Sequence, residues 1–349
     1  MKRILNILFV VAGVVCACES KYEGTTGNAV PAVIEISLSF DQGPSTKATA
    51  YLSSQIYEKQ VNNVQILVFD SSGALNIYKD AGTATSGICI NTTTGPKTIW
   101  AVINGPSLTS VKTLSALRNT TVDLGNNSTT ASEGFVMSGS AEITVGSAPT
   151  SASIQIERLV ARVALQKVIN SLPASYGEMT INNVYLANVV GNENIEGSAG
   201  ISTWYNKMGR KDGATESSQI IDGNTYLASC PTLTFKNIAL AVASGESHTP
   251  SSPYLLYCYP NSSTTDVTGW SSTFSARKTT MVVTATIGGA KYYYPVVIDT
   301  PERNTAYSVD LTITGFGSVD PDIPVVKGTI NTNVTVLDWK SGTVYEEII

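Results

Sequence analysis

The chain has 349 residues, 42% of them hydrophobic, 14% charged, with a formal net charge of −5. That length suits about two domains, and the hydrophobic share supports a packed core rather than disorder. The acidic balance lacks the basic stripe that displaces counterions from nucleic acid, and the abundance of Ser, Thr, Asn and Gly favours strands and turns over helices.

The chain opens with an address. Lys2 and Arg3 precede an apolar run, Ile4–Val15, broken only by Asn6 and Gly13. The run is shorter than the roughly 20 residues needed to span a bilayer and fits the h-region of an export signal. It ends in "VVCACES". A bacterial lipoprotein signal has a small residue before the lipidated cysteine and an aliphatic one three positions before it. Cys18, with Ala17 and Val15, meets that pattern better than Cys16, so Cys18 is the expected lipidation site and residues 1–17 the signal peptide. The alternative, an ordinary cleaved signal with two incidental cysteines, also takes the protein out of the cytoplasm.

The first alternating stretch after the signal is "AVIEISLSF". Ile34, Ile36, Leu38 and Phe40 would line one face of a half-buried strand. A loop follows, Asp41-Gln42-Gly43-Pro44-Ser45-Thr46, ending at Lys47-Ala48. Further strand patterns recur at 61–70, 97–104, 153–165, 179–190, 237–244, 252–260, 279–298, 307–315 and 329–339. A short helix fits 108–117. Gly288-Gly289 falls between two alternating runs and reads as a tight hairpin turn. Many short strands with such punctuation predict β-sandwiches. The Pro/Gly-bearing "NSLPASYGE" (170–178) suggests a boundary, giving sandwiches over 48–171 and 172–349, with 191–225 as loop.

Chemistry-bearing patterns are scarce. His248 is the only histidine and sits in a polar loop sequence, without a G-x-S-x-G elbow to partner it. Phosphate-loop, dinucleotide, zincin and EF-hand motifs are absent from the sequence, so no metal or cofactor and no catalytic residues are expected. Asp320-Pro321-Asp322 reads as a linker turn rather than a calcium ligand pair. Trp100, Trp204, Trp270 and Trp339 and the tyrosines of "KYYYP" offer stacking faces for a glycan, but aromatic residues on strands ordinarily pack. Cys89, Cys230 and Cys258 allow at most one disulfide among themselves.

Four stretches carry a family likeness: "VQILVFDSSGAL" (64–75), "KTIWAVINGP" (97–106), "IERLVARVAL" (156–165), and "TPERNTAYSVDLTITGFG" (300–317) followed by "VTVLDW" (334–339). In order and spacing the chain resembles the FimA/Mfa-type fimbrillins, pilus subunits of Bacteroidales.

The resemblance implies two tandem transthyretin-like β-sandwiches and export as an outer-membrane lipoprotein. It also implies removal of the N-terminal propeptide (18–47) and its first strand by an Arg- or Lys-specific protease. Lys47-Ala48 is the best match to the processing site, with Lys21 and Lys59 as fallbacks. The vacated groove would accept a strand from the C-terminal region of another copy or a related subunit. The residues suited to donation are Ile330, Val334 and Val336, with Ile348 and Ile349 at the end. An adhesive fimbrium would in turn meet a host glycan or protein receptor. Four buried apolar side chains on the first strand would contribute about 6–12 kcal/mol as an upper estimate. Competing roles are a fimbrial anchor or tip adhesin that keeps its lipid, and a surface lipoprotein that binds glycans without polymerising.

Overall fold

Period-two alternation builds strands along most of the described residues. A computed structural model describes residues 30–40, 55–130, 132–197, 201–208, 232–265, 276–323, 325, 330–338 and 344–348.

The N-terminal sandwich is made of β1 (Pro31–Phe40), β2 (Val64–Asp70), β3 (Leu75–Asp80), β4 (Ile88–Thr93), β5 (Gly95–Ile103), β6 (Thr121–Asp123), β7 (Met137–Val145) and β8 (Thr150–Arg158). One leaf has the order β3-β2-β5-β7 and is antiparallel throughout. The other has the order β8-β1-β4. The leaves converge where Met137 and Ser138 of β7 pair with Arg158 and Glu157 of β8. Gly139 lies at that convergence, where a Cβ would overlap the Gln155 carbonyl oxygen. Between the leaves, Ile34 and Ile36 pack with Ile66, Val68, Ile99 and Ile154 in one apolar core.

The C-terminal sandwich contains β9 (Ala161–Asn170), β10 (Met179–Ala187), β11 (Val189–Val190), β12 (Asn192–Asn194), β13 (Trp204–Tyr205), β14 (Phe235–Val242), β15 (Ser247–His248), β16 (Tyr254–Cys258), β17 (Thr279–Ile287), β18 (Ala290–Ile298), β19 (Thr305–Ile313), β20 (Ile330–Asp338) and β21 (Val344–Ile348). One leaf runs β14-β10-β17-β18; in the other, β15 and β16 pair end to end along one edge of β9, whose other edge carries β19, followed by β20 and β21. Gly288 and Gly289, at φ of 57° and 85°, join β17 to β18 in the tight turn that the sequence predicts.

Three expectations are corrected. The sheets change hands between Arg158 and Ala161, not at 171: β8 belongs to the first sandwich, whereas β9 pairs with β19 and β16 in the second. Leu159 and Val160, between them, are fully buried, so the chain passes from one core to the next beneath the surface with no turn residue to mark the passage. Pro173 and Gly177 instead flank a 3-10 turn, Ala174–Tyr176, inside the second sandwich. Part of the stretch read as loop is ordered: β12 pairs with β6 of the first sandwich, and β11 with β13. The helix is shorter than its pattern, Leu114–Arg118, with the Thr113 hydroxyl accepting from the Ala116 amide at 3.1 Å. Cys258 is a buried free thiol, Cys89 is disulfide-bonded, and Cys230 lies outside the described residues.

Candidate assembly site

β1 is an inner strand of its leaf. Pro31–Ile36 pairs antiparallel with Thr93–Ile88 of β4, while Ile34–Phe40 pairs parallel with Thr150–Ile156 of β8. Ile34 and Ile36 have no solvent exposure and Leu38 only 8%. Phe40 is half-buried at the rim, and Ala32 takes the place in the core that the alternation also assigns it. Without β1, the facing edges of β4 and β8 would be bare, together with the apolar side chains of Ile88, Ile90, Ile154 and Ile156. A groove of unpaired main-chain groups and apolar pockets is what an added strand recognises. Cys18, Lys47 and Ala48 lie outside the described residues.

The other half of the site is the terminal hairpin. β20 pairs with β19 along its whole length, from Ile313↔Ile330 to Thr305↔Asp338. β21 is the outermost strand, pairing Val344–Ile348 with Leu337–Asn333 of β20. Val334 is half-buried against the C-terminal core. In the backbone register Ile330 stands opposite Ile313, Val336 opposite Tyr307 and Ile348 opposite Asn333, and Ile349 lies outside the described residues. The approach to this hairpin is pinned. Arg277 Nη1 donates to both oxygens of Asp322 at 3.0 Å, with both side chains about 95% buried. Tyr293 and Ser318 exchange backbone hydrogen bonds of 2.8 and 2.9 Å, and the Tyr294 hydroxyl donates to the Gly315 carbonyl at 3.0 Å. Asp320-Pro321-Asp322 is thus a turn whose second carboxylate is taken by an arginine.

Sequence reasoning missed the junction between the sandwiches. Glu58, in a 3-10 turn over Ile56–Lys59, is fully buried. Its carboxylate accepts from Arg162 Nη1 at 3.0 and 3.1 Å and from the Tyr257 hydroxyl at 2.7 Å. Its main-chain carbonyl accepts from Arg158 Nε at 2.7 Å, and Arg158 Nη1 donates to Asn304 Oδ1 at 2.9 Å. Burial, reinforced by the Glu58 charge, holds the Tyr257 phenol well above its ordinary range. Burial also lowers the Arg158 guanidinium, with Glu58 opposing that shift. Arg303 donates to the Ser138 and Glu157 carbonyls of the first sandwich and the Glu196 carbonyl of the second. Burial brings its pKa down to about 10. Arg158, Arg162, Arg303 and Asn304 all stand in the stretches that carry the family likeness. Two arginines four residues apart, at the end of β8 and the start of β9, flanking the apolar Leu159-Val160-Ala161, were the available signal, since a buried guanidinium requires an acceptor.

The remaining candidates serve packing. His248 is half-buried on β15, opposite Val168. Trp100, Tyr293 and Tyr294 are buried, Trp204 is half-buried, and Trp270 and Trp339 lie outside the described residues. Among the described residues, no group of three or more His, Cys, Asp or Glu side chains is placed to hold a metal ion.

Two β-sandwiches in tandem, one with a strand set between two neighbours and the other with a hairpin at a sheet edge, make an all-β protein. The family model described as "Major fimbrial subunit protein (FimA)" matches residues 32–154, a stretch that takes in most of the first sandwich. Among solved structures, a candidate cell adhesion protein from Bacteroides eggerthii is 18% identical, with a TM-score of 0.63 over 93% of this chain and 100% of its own. A fimbrilin (FimA) from Porphyromonas gingivalis is 12% identical, with a TM-score of 0.55 over 92% of this chain and 98% of its own. A candidate cell adhesion protein from Parabacteroides distasonis is 18% identical, with a TM-score of 0.57 over 91% and 98%. No curated protein matches the sequence. At these identities the structural likeness is one of fold. With the family match over the first sandwich it bears out the resemblance to FimA-type fimbrillins and the all-β, two-sandwich architecture.

Proposed function

We propose that this protein is a fimbrial stalk subunit of the cell surface. It is exported as a lipoprotein through Cys18, trimmed after Lys47 by an Arg- or Lys-specific protease, and polymerised by strand exchange. The observation that carries the reading is the position of β1 between β4 and β8. Trimming would release a strand holding three deeply buried apolar side chains and leave a slot open on both sides. A strand from the terminal hairpin of a second copy has the alternation to fill it and to restore the lost backbone bonds. Donor and acceptor lie on different sandwiches, so each exchange is head-to-tail and the product is an open filament. Such a filament serves adhesion and biofilm formation.

The test uses the leaderless chain, residues 19–349, treated lightly with trypsin. A fragment beginning at Ala48 that forms SDS-resistant ladders or filaments is expected. An uncut Lys47, or trimmed protein that stays monomeric at high concentration, refutes the proposal.

A further inference from the structure

Lys59 is a second basic residue downstream of β1, and its side chain is exposed. By charge alone it offers the same kind of peptide bond to a Lys/Arg-specific protease as Lys47 does. Its backbone setting differs. Glu58 N donates to the Gln55 carbonyl at 3.0 Å, and Gln55 N donates to Glu58 Oε2 at 2.8 Å, closing a capped turn. On the other side of Lys59, the Gln60 carbonyl accepts from Asn104 Nδ2 at 2.7 Å. The Glu58 side chain and carbonyl are held from both sandwiches by Arg162, Tyr257 and Arg158. A protease binds several residues around the cut bond in extended form, so cleavage here requires this turn to open first.

We propose that Glu58 is a processing stop: by anchoring the turn Ile56–Lys59 in the domain junction, it closes the Lys59–Gln60 bond to the protease that trims the precursor. The inference rests on the processing reading for its biological setting. The chemical logic is that a cut after Lys59 would carry Glu58 away with the released piece. Arg158 and Arg162 would then stay buried without their carboxylate, at the seam that joins the sandwiches. Stopping upstream frees the β1 slot and keeps that seam intact.

Limited trypsin digestion of residues 19–349, followed by intact mass and N-terminal sequencing, tests it. Wild-type protein is expected to keep the bond after Lys59 intact while folded. Glu58→Ala is expected to speed that cut by about a hundredfold or more, because removing one partner of a buried ion pair raises the opened population steeply. Lys59→Gln should remove this product and no other. Wild-type cleavage after Lys59 as fast as after Lys47, or a folded Glu58→Ala protein that stays uncut there, overturns the proposal. Should Glu58→Ala fail to fold, hydrogen exchange on wild-type protein decides: slow exchange at the Glu58 and Gln60 amides upholds the stop, and fast exchange overturns it. The assembly reading is tested separately, by the cut after Lys47 and by whether trimmed protein polymerises.

Discussion

Glu58 and Arg162 are 104 residues apart in sequence, yet Arg162 Nη1 lies 3.0 and 3.1 Å from the two Glu58 carboxylate oxygens, with both side chains buried at the seam between the sandwiches. Desolvation offsets most of the attraction in such a pair, so its presence adds little net stability, but losing one partner strands the other. Arg162→Met is expected to cost about 3–5 kcal/mol in urea unfolding. Glu58→Gln combined with Arg162→Met should cost less than the sum of the single changes, a coupling that a double-mutant cycle reads directly.

The grip of β1 depends on its inner residues rather than on Phe40. Ile36 is fully buried between the leaves and Phe40 sits at the rim. Ile36→Ala is expected to destabilise the untrimmed protein by about 2–5 kcal/mol, the range for deleting a buried aliphatic side chain. Phe40→Ala should cost markedly less. Chemical denaturation of the two variants ranks them, and the opposite order would deny β1 its role as the filler of the slot.

A chain ending at Ile323 loses β20 and β21 but retains the β9–β19 pairing. It is expected to fold and to be trimmed, but not to form filaments alone. Its slot can still accept a donor, so it should cap growing wild-type filaments. Negative-stain images of mixtures should show lengths that shorten as the truncated fraction rises.

Gly139 marks the closest approach of β7 and β8. Gly139→Ala must push main chain apart at the join of the two leaves. The expected cost is about 1–3 kcal/mol or more, measured as a fall in the urea midpoint.

Alkaline pH should weaken the fold in a defined order. Burial pushes the Cys258 thiol up to about 12 and holds the phenols of Tyr257 and Tyr259 above their ordinary range. These groups favour the neutral form when folded, so the unfolded chain ionises first. Their stabilising contribution is whole below the unfolded pKa and falls as pH rises towards the folded one. Urea midpoints should therefore hold steady from neutrality to roughly pH 8.5 and then decline. Cys258→Ala should move the onset towards the tyrosine range near pH 10. Tyrosinate absorbance should rise with unfolding rather than before it.

Strand positions were legible because alternation is local: each run of Ile, Val or Tyr against Ser, Thr or Asn declares its own two faces. The paired glycines at 288 and 289 declared their turn in the same way. The strand Ala161–Asn170 was visible as a strand but not as a member of the second sandwich. Leu159 and Val160 join it to β8 with no Gly, Pro or Asn between, and residue type does not say which core receives it. The arginines at 158, 162 and 303 were visible as part of a motif without a purpose.

By itself, the sequence determined an all-β chain, the buried face of its first strand and the tight turn between β17 and β18, since each follows from residue order within a few positions. Only the tertiary structure decided that β1 lies between β4 and β8, that the terminal hairpin occupies a sheet edge, and that Glu58 closes the seam between the domains. Those outcomes depend on which distant strands share a ladder and which buried charges find partners, and both are settled by packing across the whole molecule.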